Sequence, residues 1–465
     1  ILPRHYLKQF HPKYNSSVAK DWDLPGGLWE QKADWIRNPD CPTLTGYRCK
    51  SYDNNKGIVL ERNPYYYAVM PNGDQLPYID NIVFTPVQND QVIKLQVQQG
   101  KVDFCFGSFN NLELADISTL SRNKDKGGYE LLLWDSGNGA ADMFFFNYDY
   151  IAKDPKYGKL FRDKRFRQGL SFAFDRKTAQ HTLYFETGEL TTGTMSEKAI
   201  EFHTQPDGPG LYKQWRDAYR DLDRDKAKSL FEACGLKKGN DGFYGFADGT
   251  PLKIELPYSA DIGTTPAARD DQLVSDWKAV GIKAVRVPVP PAAFGEKWTA
   301  GELMSHTNWA QGDGPNCLVF PDMLIPMNPA YWAPLQGQWN ALTGQAKQRE
   351  QLDRPPLKRT PPRMAPDKSD PLYKLLQIYN QTKLEPDQMK RNQLVWKMIR
   401  IHISDGPFFM GDVSNTPTVV ATKTDLHNVP TKEQLGQGGF TAPWVVPAPA
   451  TYDPECWFWE DPSQH

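Results

Sequence analysis

No stretch of this sequence approaches the roughly 18 consecutive apolar residues that cross a bilayer as a helix. The apolar candidates, such as Leu131-Leu-Leu-Trp134 and Val83-Phe84, are strand-sized. Cysteine is scarce, with six in 465 residues and none in C-x-x-C spacing, so neither a disulfide scaffold nor a zinc ribbon is built here. Cys41 and Cys49 are near enough to bridge a short loop, and six scattered half-buried thiols are the other reading. Charge of one sign is also missing. Lys and Arg total 54 against 56 Asp and Glu, a net charge of -2, which leaves no global field for nucleic acid or an anionic membrane. The eight histidines are scattered without metal-ligand spacing. There is no G-x-x-x-x-G-K-[ST], no G-x-G-x-x-G after a strand, no H-E-x-x-H and no G-x-S-x-G. Phosphate cradles, zinc proteolysis and the nucleophile elbow drop out, and no catalytic residue, metal or cofactor is expected. Paired carboxylates of the glycosidase type stay open, because 56 acids offer many pairs whose separation a sequence does not measure. The opening Ile1-Leu-Pro-Arg-His-Tyr6 lacks the basic start, apolar core and cleavage site of a signal peptide. That leaves a cytoplasmic protein or one whose leader has been removed.

Aromatic residues, by contrast, are abundant: 14 Trp, 21 Tyr and 23 Phe, or 12% of the chain. So many rings in a chain only 39% hydrophobic either line a groove or wedge a loop-rich core. The length predicts two to four domains at roughly 100–200 residues each. Residues 1–37 read as two short helices burying Trp22, Leu28, Trp29, Trp35 and Ile36, with Pro25-Gly-Gly27 between them. Segments 47–52, 57–62 and 79–84 predict an antiparallel meander, 91–99 a short helix using Val92, Leu95 and Val97, and 102–104 a strand.

Strands predicted at 129–134 and 143–147 flank Asp135-Ser-Gly-Asn-Gly139, whose glycines allow close approach by another group. Asp163 caps a helix with Phe166, Leu170 and Phe174 on one core face, and Asp223 caps a second that stops at Gly235. Segments 251–256, 264–280 and 282–287 predict a strand, helix and strand in a βαβ-like unit. Residues 288–370 read as irregular, with proline runs at 288–291 and 354–366. A helix pair carries Leu372, Leu375, Leu376 and Tyr379, then Leu394, Trp396 and Ile401. The loop-rich tail holds a strand at Val419-Val420 and the anchors Trp457 and Trp459.

An ordered series of motifs resembles the family 5 extracellular solute-binding proteins of ATP-driven importers, the group with dipeptide, oligopeptide, nickel and cello-oligosaccharide receptors. It comprises Asn38-Pro39 leading to Thr45-Gly-Tyr47, Gly57-Ile-Val-Leu-Glu-Arg-Asn-Pro64 with Tyr65 to Tyr67, Leu76-Pro-Tyr-Ile-Asp80 with Ile82-Val-Phe84, and Gly100-Lys-Val-Asp103. The segment from Phe161 through Arg167-Gln-Gly-Leu-Ser-Phe-Ala-Phe-Asp-Arg176 is similar to the family's most recognisable helix, and Tyr184-Phe-Glu-Thr-Gly188 follows it. Asp223-Arg-Asp-Lys-Ala227, Trp277-x-x-Val-Gly-Ile282 and Asn308-Trp-Ala310 complete the series, which extends over most of 36–430.

The resemblance implies an α/β, two-lobed periplasmic-binding-protein fold (type II, large cluster) whose lobes are joined by two crossings. Residues 1–133 and 413–465 would make lobe I and 134–412 lobe II, with a further lobe I segment and an inserted domain expected upstream of Ile1. It implies a periplasmic or extracellular monomer, compatible with a membrane-anchored form, that closes on a solute by a hinge and delivers it to an ABC permease. Peptide-binding members follow the tryptophan with a W-x-A-D-Y-like pattern whose acid meets the peptide amine. Here Trp309 is followed by Ala-Gln-Gly-Asp-Gly-Pro, so that position falls at Gly312 and Asp313 comes one residue late. An oligosaccharide is therefore the expected solute, with an oligopeptide as the alternative and a glycoside hydrolase third. The candidate ligand residues are Trp309, Gln311, Asp313, Trp332, Trp339, Asn138 and Asp142. Trp309 reads as ligand wall or core, Trp332 and Trp339 as stacking platform or loop pegs, and Asn138 and Asp142 as ligand bonding or turn chemistry.

Overall fold

The computed structural model describes residues 2–19, 21–24, 26–87, 89–107, 112–260, 264–311, 314–435 and 453–464, with the main chain alone at 264, 265, 308–311 and 464. The chain divides into two units. One takes in the chain up to Trp134 with Thr418–Leu435 and the C-terminal residues, and the other comprises Asp135–Pro417. Among the described residues no helix is long and apolar enough to cross a membrane.

In the first unit, Tyr47–Asp53, Gly57–Arg62 and Asn81–Phe84 form an antiparallel meander in sequence order, as their Asn-, Asp- and Gly-bounded alternation predicts. A second three-stranded sheet places Pro417–Lys423 between Phe104–Phe106 and Tyr129–Asp135, so the late part of the chain supplies the middle strand. Val97, Cys105, Leu120, Tyr129, Val419 and Ala421 pack as its core. The helix Asp90–Gln98 buries Val97, but Val92 and Leu95 face solvent. The N-terminal segment departs further from expectation. Its helices, Arg4–Leu7 and Leu28–Ala33, are four and six residues long, too short to carry an apolar stripe. Leu28 and Ile36 are exposed, while His11, Trp22 and Trp29 pack ring against ring instead. Trp457 is buried against Phe104, and Phe458–Trp459 pairs with Leu426–His427, which anchors the tail. All six cysteines are free thiols.

In the second unit the strand Ala140–Phe146 lies between Ser305–Gln311 and Met410–Gly411, antiparallel to both. Its sequence Ala-Ala-Asp-Met-Phe-Phe-Phe is apolar on both faces apart from one acid, the pattern of a strand covered on both sides. Alternation assigns Met143 and Phe145 to one core, with Trp332, Trp396 and Phe408, and Phe144 and Phe146 to the other, with Phe161, Phe166, Leu170 and Trp277. Asp163 caps Lys164–Phe172 through the Arg165 N–H, and Asp223 caps Arg224–Ala233 through the Lys226 N–H. The βαβ unit is present: Ile254–Ser259 and Ala284–Val289 run parallel with Thr264–Ala279 between them. The stretch 288–370 is more ordered than its prolines suggest. Helices Pro291–Thr299 and Pro334–Ala341 each begin on a proline, whose missing N–H is one the first helical turn leaves unpaired anyway.

Candidate functional site

The acid in the buried strand organises a polar cluster. Register sets Trp309 opposite Asp142 and Gln311 opposite Ala140 on one side. On the other side Met410 faces Phe144 and Gly411 faces Met143, so continuing the ladder by one residue brings Asp412 opposite Asp142. The Asp142 N–H donates to Asp412 Oδ1 at 3.3 Å, and the Val413 N–H donates to the same oxygen at 2.7 Å. Tyr184, at the end of the helix Arg176–Leu183, places its hydroxyl between the two carboxyls, 2.6 Å from Asp142 Oδ2 and 2.6 Å from Asp412 Oδ2. All three side chains are buried.

Two arginines face this group. Arg269, on Thr264–Ala279, donates Nη2–H to the Met143 carbonyl at 3.2 Å, and its Nε lies 3.1 Å from Asp270 Oδ1. That last pair is close but outside hydrogen-bond geometry, as adjacent residues on one helix would be, and Arg269 Nε and Nη1 have no hydrogen-bond partner among the described residues. Thr307 donates to Asp270 Oδ2 at 2.7 Å, so the strand that carries Trp309 is tied to the same helix. Arg176 donates to the carbonyls of Gly411, Ser171 and Arg220 and to Ser171 Oγ. Burial pushes the Arg176 guanidinium down to about 9, which still leaves it charged at neutral pH. Burial works against the charge of Arg269 as well, but Asp270, Asp142 and Asp412 outweigh it and hold the group above its ordinary value. Burial raises both carboxyls of the pair above the ordinary carboxylate range; Asp412 adds to the rise at Asp142, and Arg269 opposes it at both.

Beside the cluster, the loop 135–139 meets the segment that returns at 413–417. A Cβ on Gly139 would fall 1.9 Å from the Thr194 carbonyl oxygen, so the group that approaches this loop is the protein's own backbone. The Asn415 N–H donates to Asn138 Oδ1 at 2.7 Å, and the Gly137 N–H donates to Asn415 Oδ1 at 3.0 Å.

The candidate ligand residues therefore separate. Trp309, Gln311 and Asp142 are brought to one end of one sheet, with Asn138 two residues before Ala140. The side chains of Trp309 and Gln311, and the whole of Asp313, lie outside the described residues. Asp142 and Asn138 are buried, and their polar atoms are engaged by protein groups rather than presented to a solute. Trp332 belongs to the core: its ring is fully buried, stacks on Phe408 at 4.5 Å and donates its indole N–H to the Met323 carbonyl. The stacking-platform expectation thus gives way there to a loop peg, because an aromatic ring in a long polar stretch is the group that fastens it. Trp339, on Pro334–Ala341, is half-buried. Sequence reasoning did not single out Tyr184, Asp412 or Arg269 as a group. Asp142, a lone acid in an apolar run, was the signal that such partners exist.

Among the described residues no set of three His, Cys, Asp or Glu side chains is placed to hold a metal. Asp142 and Asp412 are a facing pair of carboxyls, but both are buried and a phenol stands between them within hydrogen-bond distance of each.

The model of the bacterial extracellular solute-binding proteins, family 5 (middle), matches residues 3–326. The chain belongs to this family. Among curated proteins, the periplasmic alpha-galactoside-binding protein of Rhizobium meliloti (strain 1021) is 27% identical over 306 residues, covering 61% of this chain and 39% of that protein. This family 5 chain thus matches well under half the length of that relative. Among solved structures, the oligopeptide-binding protein OppA superposes with a TM-score of 0.69 at 24% identity, covering 99% of this chain and 70% of that one. MelB of Agrobacterium fabrum C58, solved with stachyose, gives a TM-score of 0.64 at 18% identity, covering 98% and 62%. The fold is thus that of the two-lobed periplasmic binding proteins of family 5. Family 5 members are solute-binding proteins.

Proposed function

We propose that this chain is the solute-capturing component of an ABC import system, exported to the periplasm, and that its solute is an oligosaccharide of the α-galactoside class. The observation that carries the reading is the relative named for α-galactoside binding, aligned over 306 residues. Two further points support it. The structural neighbour MelB was solved with stachyose, a galactose-containing tetrasaccharide. The family resemblance also puts Gly312 at the position where peptide-binding members carry an acid. A neutral sugar needs no buried counter-charge. It needs flat apolar faces against its C–H faces and amide or carboxylate oxygens for its hydroxyls, as Trp309, Trp339, Gln311 and Asp313 would supply. Delivery then falls to a membrane permease that recognises the loaded protein.

Thermal-shift and calorimetric titration against melibiose, raffinose and stachyose, with di- to pentapeptides in parallel, tests this reading. A solute present at about 100 times its Kd stabilises the folded state by about 2.7 kcal/mol, so the melting temperature rises with sugar concentration. The likeness to OppA favours the oligopeptide alternative, and stabilisation by peptides alone would replace the sugar with it. Turnover of any of these compounds would overturn the binding-protein reading.

A further inference from the structure

The Tyr184 oxygen sits 2.6 Å from a carboxyl oxygen of Asp142 and 2.6 Å from one of Asp412. A phenol carries one proton and donates it to one acceptor. The second contact is equally short, and an oxygen–oxygen approach of that length between groups that both only accept is repulsive. The proton it requires has one source among the three groups, the carboxyl itself.

The surrounding charges lead to the same count. Among the described residues, the groups facing the pair are Arg269 and Asp270 from Thr264–Ala279, Arg176 and Tyr184 from Arg176–Leu183 and its end, and Thr307 from Ser305–Gln311. Two guanidinium charges oppose Asp270 and the pair. With Asp270 and both carboxyls of the pair ionised these five groups carry one excess negative charge, and one proton among the three acids makes them neutral; the two 2.6 Å contacts at Tyr184 place that proton on the pair. Every ionisable member is buried, and an unbalanced charge there is strongly unfavourable.

We propose that Asp142, Tyr184 and Asp412 form a proton-binding site in which the two carboxyls hold a single proton across the phenol at neutral pH, fastening Ala140–Phe146 to Met410–Gly411. Release of the proton at alkaline pH leaves two buried carboxylates facing one hydroxyl, and the fastening turns repulsive. The site is independent of the solute and stands whether the ligand is a sugar or a peptide.

Infrared difference spectroscopy of the whole chain, with carbon-13 in the aspartate carboxyls, reads the proton directly. The expected result is an isotope-sensitive band of a protonated carboxyl at neutral pH that disappears as the pH is raised. The band should be lost in both Asp142→Asn and Asp412→Asn, because in either variant the amide supplies the donor and the remaining carboxyl ionises. The same variants should keep the neutral-pH fold and show a flatter fall of melting temperature toward alkaline pH than the wild type. A wild type with no such band at neutral pH overturns the proposal, as does a band that survives in both variants. If neither variant folds, the infrared pH titration of the wild type decides alone.

Discussion

Asn138 and Asn415, 277 residues apart, hold each other's backbone: Asn138 Oδ1 accepts the Asn415 N–H at 2.7 Å, and Asn415 Oδ1 accepts the Gly137 N–H at 3.0 Å. Asn415 does this from a left-handed backbone, with φ of 50°, which asparagine tolerates better than most residues. Asn138→Ala should therefore lower stability by about 1–2 kcal/mol, and Asn138→Asp, which keeps the accepting oxygen but buries a carboxyl and gives up the donor to Thr416, should recover that loss only at acid pH where the carboxyl is neutral. Asn415→Gly should cost less than Asn415→Ala, because alanine adds about 1 kcal/mol or more of backbone strain to the lost hydrogen bond. Urea unfolding midpoints rank the four variants. An Asn138→Ala protein of unchanged stability but weakened solute affinity would return Asn138 to the ligand.

Trp332 and Trp309 should part under truncation. Trp332 fills a closed space against Phe408 and Tyr148, so Trp332→Ala is expected to cost about 3–5 kcal/mol by chemical denaturation. Trp309→Ala is expected to leave stability nearly unchanged and weaken solute binding about tenfold, equivalent to about 1.4 kcal/mol, by calorimetry. A Trp309→Ala protein that melts early with unaltered affinity would place that ring in the core as well.

What the sequence made legible was local. Apolar spacing at Phe166, Leu170 and Phe174, the caps Asp163 and Asp223, and the strand–helix–strand read at 251–287 act over a few residues each, and the structure has them all, with the two strands set two to three residues later at 254–259 and 284–289. The polar cluster is a different kind of object. Asp142, Tyr184, Arg269 and Asp412 come from segments spread over 270 residues and meet through sheet register and helix packing, which no window of sequence contains. The aromatic candidates failed to separate for a related reason. Trp332 and Trp339 share one polar context in sequence, and only burial tells the peg from the half-exposed ring. Short N-terminal helices misled in the opposite direction, because apolar spacing over four to six residues is satisfied by chance and leaves Leu28 and Ile36 in solvent.

Arg167, in the motif helix that carries the family likeness, is buried and donates to three carbonyls: Pro407 at 2.8 Å, Phe161 at 2.6 Å, and Asp405. Asp405 ends the helix Gln388–Asp405, where unpaired carbonyls and the negative end of the helix dipole favour a cation. Arg167→Met should destabilise by about 3 kcal/mol or more, since it strands buried acceptors. Arg167→Lys should recover only part of that loss, because an ammonium does not span the three directions of the guanidinium. Equal stability of the methionine and lysine variants would show that packing of the aliphatic stem, not the carbonyl contacts, is what the position supplies.

His402 sets an acid limit on stability. Its ring is buried among Trp215, Phe408 and Phe409 and donates Nε2–H to the Leu324 carbonyl at 2.8 Å, and burial pushes its pKa down from 6.5 to about 4. The folded form therefore binds this proton less readily than the unfolded chain. Stability from the neutral ring is fully present above pH 6.5 and is lost as pH falls through about 4. The shift corresponds to about 3 kcal/mol over that window. The proton-holding carboxyl pair acts with the opposite sign, losing stability as pH rises, so the two contributions are separated by difference. His402→Gln keeps a donor for Leu324 without the titration, and the gap between its unfolding free energy and that of the wild type should shrink steadily from pH 6.5 to about 4. A gap constant across that range would mean that the folded protein protonates His402 as easily as the unfolded chain does.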